Sequence, residues 1–259
     1  MTEGPQPDRD HALALVATTR EVLDHPGVHE GLLADWERRR IAAIRLPGRR
    51  DDVLAARLLV RLCAARHTGR TPAESAPAQR CPECGGPGHG RPYLPGLPGV
   101  GVSMSHADGL VAAAVGPGAV GIDVEPAARR PGPLRVLRRL LPEAEVAEAA
   151  ARPDPGPALL RLWVRGEARL KAGGQAGLRL FEWTDGDRAA VVAVATEADR
   201  VTRGAVTGAG RTGAGCTRAG VTGAGITWAG VTGAGVARVG ITGAGGGTSD
   251  PVPVIGFAR

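Results

Sequence analysis

Apolar and polar positions follow two rhythms between residues 10 and 197. Over residues 52–66, Leu54, Leu58 and Leu62 form one i, i+4 row with Leu59 beside it, and Arg57 and Arg61 lie off that row. This spacing predicts an amphipathic helix. Residues 81–98 are crowded with Gly and Pro and read as a loop or linker. Three short apolar runs follow at 100–105, 110–115 and 120–125, separated by Gly-containing turns, a pattern that predicts an antiparallel meander. Residues 134–150 predict a second helix. Pro153 and Pro155 then interrupt the chain before a third, which runs from about Ala158 to about Ala172 and is ended by Gly173 and Gly174. Residues 181–183 and 189–195 supply two more strands. The order of helix, strands, helices and strands repeats once, predicting two similar α+β halves, residues 10–118 and 119–198.

The pattern changes at residue 199. Residues 206–245 are eight consecutive pentapeptides of the form x-Thr-x-Ala-Gly with a few substitutions. A period of five is shorter than the common solenoid units, and glycine recurs too often for a helix, so residues 199–259 are expected to form a flexible low-complexity tail.

Composition adds three constraints. Aromatic residues make up only 3% of the chain, so alanine inflates the 43% hydrophobic share and the core must lean on Leu and Val. Of the net charge of +6, the tail carries +4 through six Arg and two Asp, leaving residues 1–198 only mildly basic. That balance suits small phosphorylated ligands or an acidic protein partner better than a duplex backbone, and it argues against nucleic acid as the partner. Apolar runs are far shorter than a membrane span, and the first residues, MTEGPQPDRDH, lack the pattern of a signal peptide. A cytoplasmic protein whose four cysteines are reduced is therefore expected.

Candidate chemistry sits on two elements. In the GIDVE run at residues 121–125, strand alternation places Gly121, Asp123 and Glu125 on one face, with two carboxylates roughly 6 to 7 Å apart at the backbone, close enough to chelate one hard cation. On the third helix Trp163, Glu167 and Lys171 stack at i, i+4 and i+8. Lys171 is the only lysine of the chain, although Lys and Arg total 32, which marks a position where a compact ammonium is wanted. Ser103, Ser105 and His106 lie where a strand gives way to a turn and suit phosphate oxygens; no Gly-x-Ser-x-Gly surrounds Ser105, so a nucleophilic serine is not indicated. Cys81, Cys84 and His89 make up half to three quarters of a zinc site.

In chain order, GRPYL (90–94), VSMSH (102–106), GIDVE (121–125) and WVRGEARLKAGG (163–174) resemble the 4′-phosphopantetheinyl transferases of the surfactin-synthetase-activating type, in their actinobacterial form. The resemblance covers about residues 35–197. It implies a pseudo-twofold duplicated α+β fold, each half a small antiparallel sheet packed on helices, with coenzyme A in the cleft between them. Asp123, Glu125 and Glu167 would ligate Mg2+. Arg91, Ser105 and His106, aided by Arg49 or Arg50, would hold the nucleotide phosphates. Glu167, or a water on the metal, would take the proton of the attacking serine, and Lys171 would bind and stabilise charge on phosphate and leaving group. The implied reaction moves the phosphopantetheine arm of coenzyme A to a serine of an apo acyl or peptidyl carrier protein and releases adenosine 3′,5′-bisphosphate, by a monomer serving fatty-acid, polyketide or nonribosomal-peptide synthesis. Two alternatives stand beside it: a catalytically weak or silent coenzyme A-binding scaffold, and a zinc- or nucleic-acid-binding protein built on the cysteine loop and the basic tail.

Overall fold

The computed structural model describes residues 10–81, 83–132 and 134–206. Residues 200–204, expected to belong to the flexible tail, instead form a strand paired with residues 11–15, while Cys216 and the pentapeptide array beyond its first residue lie outside the described residues. Among the described residues no helix is long and apolar enough to cross a membrane.

The chain runs β1 (His11–Thr18), α1 (Thr19–Leu23), α2 (Asp35–Ala42), α3 (Pro47–Thr68), β2 (Ala78–Arg80), β3 (Pro87–Tyr93), β4 (Val100–Ala107), β5 (Leu110–Pro117) and β6 (Val120–Pro126). It continues through α4 (Leu134–Leu140), α5 (Glu143–Ala150), α6 (Pro155–Lys171), β7 (Arg179–Asp185), β8 (Ala190–Thr196) and β9 (Arg200–Gly204). Two sheets form, one ordered β2-β3-β4-β5-β1-β9 and the other β6-β8-β7. All pairings are antiparallel except β1 with β9.

The expected α+β architecture of antiparallel sheets packed on helices is what the chain adopts, and its connectivity repeats. In the first sheet β1 pairs with β5 and β5 with β4, while α3 intervenes between β1 and β4 in sequence. In the second, β6 pairs with β8 and β8 with β7, and α6 intervenes between β6 and β7. Strand, helix, strand, strand with the last strand in the middle is thus written twice.

The three-stranded meander does not form. β4 and β5 pair as expected, but β6 leaves them for β8. The switch occurs at Gly118, whose φ of +60° favours glycine and whose N–H donates to the Gly99 carbonyl at 2.8 Å. A Cβ at 118 would lie 2.0 Å from Glu197 Oε2, while Oε1 of the same carboxylate accepts the next N–H, that of Ala119, at 3.0 Å.

Strand alternation then gives β6 two tasks. Val120, Ile122 and Val124 face the first half and join Ala12, Ala14, Ala112 and Ala114 in a shared core. The opposite face receives α6, whose Leu160, Val164, Ala168 and Ala172 pack on Val191, Ala193 and Ala195 of β8.

Other elements differ in extent. The third helix begins at Pro155, because a first-turn residue has no intrahelical partner for its N–H and proline is tolerated there. The second helix is broken by Pro142 into α4 and α5. Within the expected loop 81–98, β3 forms and pairs with β2 and β4. Arg57 and Arg61 are buried, and both reach the buried Glu37 of α2, Arg57 at 2.8 Å. Arg57 also lies 4.8 Å over the Trp36 ring.

Candidate active site

β6 and α6 meet at unusually short range. A Cβ at Gly121 would lie 2.0 Å from the Ala168 carbonyl oxygen and 2.5 Å from the Ala172 nitrogen, so only glycine lets the helix backbone settle on the strand. The i, i+2 alternation from Gly121 turns Asp123 and Glu125 toward that helix, on the side from which Lys171 arrives.

Lys171 Nζ donates to Asp123 Oδ1 at 2.6 Å and to Ser105 Oγ at 2.8 Å, and Ser105 Oγ donates to the same carboxylate oxygen at 2.7 Å. Strand β4 supplies the serine because it runs beside β6, where Ser103 Oγ accepts the Ile122 N–H at 3.1 Å. Asp123 is 4% exposed, and its second oxygen, Oδ2, is buried with no hydrogen-bond partner. A buried acceptor of this kind is costly unless something is provided for it.

Glu125 is equally buried and is held by Arg129 Nη1 at 2.5 Å. Burial, then the neighbouring Asp123 charge, pushes the Glu125 carboxyl up to about 7 in spite of Arg129. Burial and then Asp123 likewise raise Glu167, against the pull of Lys171. Glutamates raised by a neighbouring carboxylate in this way have a use for added positive charge. They are not drawn to a single point: among the described residues the one trio of His, Cys, Asp or Glu ligand atoms lying within 4.8 Å of one another is Cys81, Cys84 and His89.

His106 extends the cluster from the end of β4. Burial depresses its pKa most, Asp52 opposes this, and Lys171 and Arg49 add to the depression, which ties Arg49 of α3 electrostatically to the site. Asp52 accepts from the Gly109 N–H at 3.3 Å and from the Thr19 hydroxyl. Arg50 instead stands 3.7 Å from Asp51. Arg91, on β3, reaches the C-terminus of α6, where a Cβ at Gly173 would lie 1.7 Å from Arg91 Nη2. Gly173, with φ of +100°, and Gly174 close that helix by donating to the Leu170 and Arg169 carbonyls, both at 2.9 Å.

Sequence reasoning missed Arg129 and Asp52. The i, i+4 spacing of Glu125 and Arg129 was a weak signal for the first; Asp52 carries no local signal, since its partners are distant in the chain. Gly166, one place before Glu167, lies under Leu141: a Cβ there would sit 2.3 Å from Leu141 Cδ2. The close approach of the segment after α4 thus gives a packing reason for a glycine that lowers helix propensity by about 1 kcal/mol.

Comparison with models of protein families returns one family. No curated protein matches the chain. A family model does match residues 119–208, from the turn before β6 through β9, the stretch that holds Asp123, Glu125, Glu167 and Lys171. The half of the molecule that contributes the carboxylates and the lysine is similar to the 4′-phosphopantetheinyl transferase superfamily.

Proposed function

We propose that the protein transfers the 4′-phosphopantetheine arm of coenzyme A to a serine hydroxyl of an acyl or peptidyl carrier protein, with Mg2+ held by Asp123, Glu125 and Glu167. The observation that carries this reading is the buried acidic cluster between β6 and α6, with its unpartnered Asp123 Oδ2, inside the segment similar to the superfamily. An all-oxygen set of three carboxylates fits a hard divalent cation. When bound, magnesium would supply charge neutralisation and polarisation of phosphate oxygens.

The chain's own groups divide the remaining work. Arg91, with Arg49 and His106, binds and orients the phosphates of coenzyme A. Ser105 holds Lys171 and Asp123 in register through its paired hydrogen bonds. Glu167, or a water on the metal, accepts the proton of the carrier serine. The serine oxygen forms a bond to the β-phosphorus as the pyrophosphate P–O bond breaks, and adenosine 3′,5′-bisphosphate leaves with the bonding electrons. Lys171 stabilises the charge that develops there.

The direct test incubates the full chain with coenzyme A, magnesium and a panel of apo carrier proteins, each then read by intact mass. A magnesium-dependent gain of one phosphopantetheine arm is expected on at least one carrier. Coenzyme A binding with no transfer to any carrier would replace this reading by the silent scaffold.

A further inference from the structure

The β2–β3 hairpin carries a second group of ligating side chains that phosphopantetheine transfer does not use. One ligand atom each from Cys81, Cys84 and His89 lies within 4.8 Å of the other two, and Cys84 Sγ stands 3.2 Å from His89 Nε2.

The backbone around them is folded to serve the sulfurs. Cys81 N–H donates to the Gly86 carbonyl and Gly85 N–H to the Cys81 carbonyl, both at 3.0 Å, with Gly85 at a φ of +67°. Gly86 N–H points at Cys84 Sγ at 3.4 Å, and the N–H groups of Cys84 and Glu83 are directed at the Cys81 sulfur. Such N–H···S contacts orient sulfur ligands and favour their charged form. A Cβ at Gly86 would lie 3.2 Å from Cys84 Sγ and 3.4 Å from His89 Cε1, so the glycine keeps space between the ligands free.

Two sulfurs and an imidazole form a borderline-soft donor set, suited to zinc and unsuited to magnesium or calcium. Beyond the cluster, β3 runs from His89 through Gly90 to Arg91. Gly90, with φ of +94°, sits so close to β2 that a Cβ would lie 2.4 Å from the Arg80 carbonyl oxygen, and its own carbonyl accepts from Gln79 Nε2 at 2.9 Å. The cluster and the Arg91 guanidinium are therefore joined by two residues of tightly packed strand.

We propose that Cys81, Cys84 and His89 bind one zinc ion, with water as the fourth ligand, and that this ion clamps the hairpin that presents Arg91 to the end of α6. The site is independent of the magnesium cluster and of whether the protein transfers phosphopantetheine.

The test uses the full chain purified under reducing conditions, stripped with a chelator and titrated with Zn2+ or Co2+. About one metal per chain is expected, and the cobalt form should show the intense visible bands of tetrahedral coordination together with sulfur-to-cobalt charge transfer. Cys84→Ser and His89→Ala should each weaken uptake by ~100-fold or more, while Cys216→Ser and Asp123→Asn should leave it unchanged. Zinc should slow tryptic cleavage after Arg80 by ~10-fold, relative to cleavage elsewhere, in the parent and not in Cys84→Ser. Absence of uptake at micromolar zinc, or equal uptake by the Cys81→Ser/Cys84→Ser double variant, overturns the site. Uptake without protection of the bond after Arg80 overturns the clamp.

Discussion

Lys171 and Asp123, 48 residues apart, meet at 2.6 Å with Ser105 Oγ bonded to both, so the chain's one lysine joins α6 to β6 and β4 at a single carboxylate oxygen. Lys171→Met leaves that buried carboxylate without its counter-charge and is expected to cost about 3 kcal/mol or more in urea denaturation. Lys171→Arg keeps the charge, but a planar guanidinium cannot occupy the position of a compact ammonium between the two oxygens. Transfer should fall by ~10-fold or more in that variant, and an unchanged rate would remove the argument from the lone lysine.

Asp123→Ala and Glu167→Ala bear on the metal. Each should lower magnesium-dependent transfer by ~100-fold or more while circular dichroism still shows the parent's fold. Full activity in both variants would rule out these residues as ligands.

The raised carboxyl of Glu125 sets a pH signature. The folded protein holds a proton on Glu125 up to about 7, whereas the unfolded chain releases it near 4.5, so across that interval stability falls as pH rises. Glu167, raised for the same reasons, acts in the same direction. His106, depressed chiefly by burial, acts oppositely, costing stability as pH falls through its ordinary value of 6.5. Glu125→Gln separates these contributions. In metal-free buffer the parent should lose about 1 to 3 kcal/mol relative to the variant between about pH 5 and about pH 8. A difference that does not vary with pH would contradict the shift, and saturating magnesium should abolish the loss in the parent.

Gly121→Ala tests the close approach that builds the site. The added methyl would fall 2.0 Å from the Ala168 carbonyl oxygen, on backbone that has no side-chain freedom to move away. A loss of about 3 kcal/mol is expected, along with weaker transfer, as the helix carrying Glu167 and Lys171 is pushed off the strand. Parent-like stability would show that the helix can move without cost.

Much of the site was legible because its groups obey short-range periodicities. Alternation placed Asp123 and Glu125 on one face of β6, and the i, i+4 spacing placed Glu167 and Lys171 along one side of α6. The meeting of those faces depends on Gly121 and on the small side chains of β8, whose role appears only when strand and helix are packed together. The fold was legible to the same degree. The strands between residues 100 and 196 were readable one by one, whereas β9 was taken for the start of the tail, and the parting of β6 from β5 depends on Gly118 fitting beside Glu197, a residue 79 positions later. Strand β1 went unread, since His11 to Thr18 is a nearly continuous apolar run buried on both faces, without the alternation that marks a half-exposed strand. Strand β3 was obscured by the glycines and prolines through which it runs.

The parallel pairing of β1 with β9 bears on how the protein is made. Among the described elements residues 11–18 are the first to leave the ribosome, yet one of their two neighbours, residues 200–204, is the last to be synthesised. Until then the nascent chain carries β1 as an open strand edge, a template for mispairing with other chains. The second half of the fold must be complete before this edge is covered. A stop codon or proteolytic cut ahead of residue 200 would therefore damage the half of the molecule it does not touch.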